Sequence, residues 1–185
     1  MESSNDPVRA WAIGLKHSDP AAATELFNRF YPHLFRYARR LTRDTSAAED
    51  VVQEAFLRLW KMRERIDPDR SITSLLFVMV RNLSYTRARR APAVVDDPAN
   101  RPARQADPSE NVDARLLADR LRTWIDALPA RRREAFHLSR FENLSYAEIA
   151  SVMDISVRTV ENHIRLALQD LRDHIRDSEP NLLKQ

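Results

Sequence analysis

A chain of 185 residues with one glycine, no cysteine and a net charge of +3 excludes several function classes at the outset. Gly14 alone cannot build a phosphate-cradling loop or the many turns of a β-sandwich, and abundant Ala, Leu and Arg favour helix. The absence of cysteine removes disulfides, thiolate catalysis, Cys-ligated zinc and thiol redox sensing.

The stretch around Asp6, Arg9 and Lys16 has no continuous apolar core, so no signal peptide is expected there. The longest apolar run, Leu75 to Val80, is far too short to span a bilayer. The expectation is an all-α cytoplasmic protein without membrane insertion.

In chain order, a first helix is predicted from about Asp6 to Lys16. A second, from about Ala21 to Thr42, places Leu26, Phe30, Leu34, Tyr37 and Leu41 on one apolar stripe, with Pro32 expected to kink it or mark an irregularity. A third opens on Ser46-Ala47-Ala48-Glu49, read as a capping box, and carries Val52, Ala55, Phe56, Leu59 and Trp60 on one face. A fourth runs from near Ser71 or Thr73 to about Arg90. Trp60 and Trp124 fall on apolar stripes and are expected in the core.

Residues 91–112 hold Pro92, Pro98, Pro102 and Pro108 and few apolar residues, which predicts a flexible, semi-extended linker. A domain over residues 1–90 therefore precedes one over 113–177, with a tail at 178–185. In the second domain, a helix from Ala114 to Leu128 is predicted to turn Leu117, Leu121, Trp124, Ile125 and Leu128 inward. Pro129 suits the start of the next helix, Ala130 to Arg140. Ser145-Tyr146-Ala147-Glu148 is a second capping box, opening a short helix that ends near Met153; the last helix follows Ser156 and reaches about Asp177.

Tyr146 to Arg165 has the layout of a helix-turn-helix. Ala150 is the small residue where two helices touch, Asp154 occupies the turn position that must tolerate left-handed φ, and Ile149, Met153, Ile155, Val160 and Ile164 form its core. In such a motif Ser156, Arg158, Thr159, Asn162, His163 and Arg165 face the major groove, where Arg forks onto guanine and Asn pairs with adenine. Glu161, on the same helix, repels phosphate or accepts from cytosine. The alternative is a plain helical hairpin that packs on something else, and each polar residue alone also reads as simply exposed.

Charge is unevenly distributed: 16 basic against 11 acidic residues over 1–90, 2 against 4 over 91–112, and 12 against 12 over 113–185. The excess peaks at Arg81, Arg87, Arg89 and Arg90. Composition leaves two readings of this segment open, a phosphate-facing patch or a solvated helix end whose cations suit the helix dipole.

The stretches SAAEDVVQEAFLRLW (46–60) and SITSLLFVMVRN (71–82), then a linker, then an LP-led helix and LSYAEIA (144–150), closely resemble extracytoplasmic-function (ECF) sigma factors over about residues 20–90 and 113–175. The resemblance implies a sigma region 2-like four-helix domain and a sigma region 4-like helix-turn-helix domain. It implies that Glu49, Asp50, Gln53 and Glu54 dock on core RNA polymerase, where acidic and amide groups suit basic and polar partners. A solvated acidic first turn is the bland alternative for these four.

The resemblance further implies that the turn Asp67 to Thr73 and the fourth helix, through Arg81, Asn82, Tyr85, Arg87, Arg89 and Arg90, engage the −10 promoter element, where exposed bases can be gripped and stacked. Leu75 stands where many members carry tryptophan, with Ile72 and Ser74 nearby. The helix-turn-helix is implied to read the −35 element, and an anti-sigma factor is implied as a further partner.

A response-regulator-type activator also carries such a last helix, but residues 1–90 show neither alternating strands nor a phosphoacceptor-like acidic pocket. His17, His33, His137, His163 and His174 have no metal-ligand spacing and no Ser/His/Asp arrangement is suggested. No catalytic residue, metal or cofactor is expected.

Overall fold

The computed structural model describes residues 7–90 and 112–178; the side chains of residues 90, 112–115 and 178 fall outside that description, as do residues 91–111 of the expected linker. The regular structure among the described residues is helical: α1 (Pro7–Lys16), α2 (Pro20–Thr42), α3 (Thr45–Lys61), α4 (Ile72–Arg90), α5 (Val112–Ala127), α6 (Ala130–Arg140), α7 (Tyr146–Met153) and α8 (Val157–Ser178), with a 3-10 turn at Arg63–Arg65. They fall into two compact units, α1–α4 and α5–α8.

In the first unit α2 is central and packs against α1, α3 and α4. Its inward stripe is the predicted one: Leu26, Phe30, Leu34 and Tyr37 are buried, and the Tyr37 ring meets Phe77 of α4 at 5.4 Å between centroids. Asp19 caps its start by accepting from the Ala21 N–H at 2.9 Å, with Pro20 in the first turn, where a missing N–H costs nothing. The helix runs on through Pro32 without a break.

The α2–α3 corner has no loop. Arg43, at φ 57°, is the left-handed C-cap of α2, and the next residue, Asp44, is the N-cap of α3. The Asp44 carboxylate accepts from the Ala47 N–H at 2.6 Å, so the helix starts at Thr45. The capping box expected at Ser46 is therefore absent. Two oxygen-bearing residues competed for one helix start, and the αL residue at 43 set the chain direction for the earlier one.

At the α1–α2 contact Gly14 is needed for space. A Cβ there would lie 2.6 Å from Ala22 Cβ. On α3, Ala48, Val51, Val52, Ala55 and Leu59 are buried, but Phe56 and Trp60 are only half-buried. Trp60 is thus not the core residue that the stripe suggested. The Arg63 guanidinium lies over its ring at 4.6 Å and donates to Ser18 Oγ at 2.7 Å, tying the 3-10 turn to the α1–α2 corner.

In the second unit α6, α7 and α8 pack on one another. Ser145 and Glu148 form the predicted capping box, with the Ser145 N–H donating to Glu148 Oε2 at 2.9 Å. Among the described side chains of α5, Trp124 and Ile125 are buried, as is the following Leu128; Leu117 and Leu121, expected inside, are 45% and 40% exposed. Only the C-terminal end of that stripe reaches the trihelical core, so the apolar period continues beyond the surface available to cover it. Among the described residues no helix is long and apolar enough to cross a membrane.

Candidate nucleic-acid interface

The turn between α7 and α8 is built as a helix-turn-helix requires. Asp154 has φ 54° and ψ 56°, the left-handed conformation, and its N–H bonds the Ala150 carbonyl, as does that of Ile155 at 3.1 Å. Asp adopts this conformation at less cost than most residues because its short polar side chain bonds locally. Val160, Ile164, Ala167 and Leu171 then lock α8 onto α6 and α7, while Ile149, Ala150 and Met153 fill the other side. Arg132 of α6 and Asp170 of α8 close an ion pair at 2.8 Å.

This packing sorts the residues expected in the groove. Arg158, Asn162 and Arg165 are exposed and, with Glu161, line one shallow depression on α8. An Arg165 guanidinium N–H donates to Asn162 Oδ1 at 2.9 Å. Ser156 and Thr159 serve the helix start: the Thr159 N–H donates to Ser156 Oγ at 3.1 Å, and the two hydroxyls are 2.7 Å apart.

His163 is half-buried, with a buried Nδ1 that has no hydrogen-bond partner. Burial, then the charges of Arg132 and Arg131 on α6, hold its pKa below the usual 6.5. The ring is thus partly withdrawn from the surface, and its cationic form is disfavoured relative to a free imidazole. Val157, 43% exposed, shares a face with Glu161 and Arg165 at four-residue intervals, although its side chain is apolar. That spacing was the signal for it.

On α4 the basic segment divides in two. Arg81, Tyr85 and Arg89 recur every four residues along one face, with the Arg81 guanidinium 4.8 Å from the Tyr85 ring centroid and Asn82 exposed beside them. Arg87 turns elsewhere and forms an ion pair with Asp50 of α3. The Arg90 side chain lies outside the described residues. Ile72 and Ser74 are buried and Leu75 half-buried, so the start of α4 is committed largely to packing. In the preceding turn, Asp69 is paired with Arg9 of α1 at 2.7 Å.

On α3, Glu49, Asp50 and Gln53 are exposed. Glu54 accepts from Arg58 Nε at 2.8 Å, and this hydrogen bond, against a smaller desolvation effect, lowers its pKa. Of the expected acidic face, Asp50 and Glu54 thus have ion-pair partners within the fold, yet their side chains are 49% and 44% exposed beside Glu49 and Gln53. Beside it, the Phe27 and Phe56 ring centroids lie 4.9 Å apart, and the two rings join Leu15, Leu26, Leu59 and Trp60 around an apolar depression.

Sigma-70 region 2 matches residues 26–92 and Sigma-70, region 4 matches residues 118–171. The chain is 32% identical to the ECF RNA polymerase sigma factor SigE of Mycolicibacterium smegmatis, covering 95% of this chain and 70% of that one. It is 33% identical to the ECF sigma factor SigL of Mycobacterium tuberculosis, covering 86% and 92%. Among solved structures it is similar to CnrH in complex with the cytosolic domain of CnrY (TM-score 0.69, 25% identity, 94% of this chain and 100% of that one). It also shares the fold of RpoE, solved with the anti-sigma factor NepR from Bartonella quintana (TM-score 0.63, 21% identity, 84% and 98%). With both sigma regions matched in order and the helix-turn-helix formed as its sequence requires, the chain belongs to the ECF RNA polymerase sigma factors, which direct core RNA polymerase to promoters.

Proposed function

We propose that the two units divide promoter engagement between them. The first docks on core polymerase through the α3 face of Glu49, Asp50, Gln53 and Glu54 and grips the −10 element through Arg81, Asn82, Tyr85 and Arg89. The second places α8 in the major groove of the −35 element, with Arg158, Asn162 and Arg165 reaching base edges or phosphates. The observation that carries this reading is the α7–α8 turn, whose left-handed Asp154 leaves one face of α8 exposed beneath a fully packed opposite face.

Protein catalysis has no part in this reading: the polymerase makes RNA, and this chain supplies placement and DNA opening in the cytoplasm, where that enzyme works. CnrH was solved bound to the cytosolic domain of a second protein, which supports an anti-sigma partner here as well.

The test is competition with the housekeeping sigma factor for core polymerase, followed by promoter binding of the resulting holoenzyme. Asp50→Lys should weaken the competition several-fold, as expected for reversing a charge at a polar interface. Arg158→Ala with Asn162→Ala should leave competition intact and change −35 preference. Normal promoter selection by that double variant would overturn the assignment of α8.

A further inference from the structure

A carboxylate stands in the middle of the cationic reading face of α8. Glu161 is flanked by Arg158 three residues before, Val157 four before, Asn162 beside it and Arg165 four after, and it lines the same depression as Arg158, Asn162 and Arg165. A Glu four residues ahead of an Arg is the favoured geometry for an intrahelical ion pair. Here that pair is not made; an Arg165 guanidinium N–H donates to Asn162 Oδ1. Among the described residues nothing neutralises the Glu161 carboxylate.

In a groove walled by phosphates, an unneutralised carboxylate is repelled unless a base-edge donor meets it. Cytosine offers its N4 amine there. Adenine also offers an amine, but its N7 acceptor sits alongside and faces the carboxylate with like polarity. Guanine and thymine present acceptors at the corresponding edge.

We infer that Glu161 is a specificity-determining residue that selects a cytosine in the −35 element by accepting from its N4 amine, and disfavours the other three bases at that position. The inference rests on α8 being the major-groove helix. The Arg165–Asn162 bond sharpens it: it takes up one acceptor position of the Asn162 amide, while the Glu161 carboxylate keeps all of its own.

The experiment uses holoenzyme assembled from core RNA polymerase and the full chain. Promoter fragments are first selected from genomic DNA, then each −35 base pair is replaced in turn by the other three and transcript yield is measured. Wild type should show one position where C·G is preferred by about five- to tenfold, the lower range for a single base-edge pairing. Glu161→Ala should flatten that position alone, and Glu161→Gln should move its preference towards A·T, since an amide both donates to N7 and accepts from N6.

An unchanged preference profile in Glu161→Ala overturns the inference, and so does a uniform gain at every sequence, which is the mark of plain repulsion. Arg158→Ala separates the two levels of the argument. If it alters the profile while Glu161→Ala does not, only the cytosine assignment is lost; if neither alters it, α8 does not read the groove.

Discussion

On α8 the imidazole of His163 is turned against α6, and its Nδ1 finds no partner. Since burial and the nearby Arg132 and Arg131 depress its pKa, the folded chain resists a proton that the unfolded chain accepts near pH 6.5. Above that pH the ring is neutral in both states and contributes nothing to the pH dependence. As pH falls from 6.5 through the depressed folded value, stability is lost, and the loss is complete below it. The midpoint of thermal unfolding should therefore drop more between pH 7.5 and 5.5 in the wild type than in His163→Gln. Parallel slopes in the two proteins would show that the ring is free to protonate in the fold. The polarity of this residue gave no sign of its burial, which depends on a second helix and is not written in the period of α8.

At the level of helices, Gly14 illustrates how one contact holds α1 to the unit. Alanine is a better helix former than glycine by about 1 kcal/mol, which alone would stabilise α1. The Cβ it adds meets the Cβ of Ala22, an atom fixed to the backbone of α2, at 2.6 Å, so α1 must move away. Overpacking of this kind costs about 1–3 kcal/mol. Gly14→Ala should lower the denaturant midpoint, and the double variant Gly14→Ala/Ala22→Gly should recover part of the loss. A midpoint raised by Gly14→Ala would mean that propensity wins and the contact is soft.

The helices themselves were legible because period and caps agreed: Ser145 with Glu148, Asp154 at the turn, and the Leu26–Leu34 stripe each specify one outcome. What escaped were relations between helices. Arg87 was grouped with Arg81 and Arg89 by nearness in sequence, yet its partner Asp50 is 37 residues away on α3. Trp60, Leu117 and Leu121 followed an apolar period past the edge of the surface able to bury them.

For the molecule as a whole, charge limits what the free protein does. The second domain carries 12 basic and 12 acidic residues over 113–185, so little counterion release is available to it on duplex DNA. The free chain should bind a −35 duplex no more tightly than a non-specific site, with Kd on the order of 10⁻⁵ M at physiological salt. Within holoenzyme the same contacts become intramolecular with those of the polymerase, and binding should tighten by about 100-fold or more. Fluorescence anisotropy on one labelled promoter, with and without core enzyme, measures both values. Tight binding by the free chain would mean that the second unit recognises duplex DNA without help from the polymerase. Division into two sigma-like units was readable from the proline-rich stretch and the two motif blocks. The contacts internal to the fold on each candidate face, Asp50 with Arg87 and Glu54 with Arg58, were not readable, since they depend on how neighbouring turns and helices meet.

The corner between Arg43 and Asp44 joins α3 to α2 at the centre of the first unit with no intervening slack. A push or twist received along α3 therefore reaches α2 as it would through a welded elbow rather than a cord. Lengthening that elbow by a few flexible residues would leave every surface in place and remove only its stiffness.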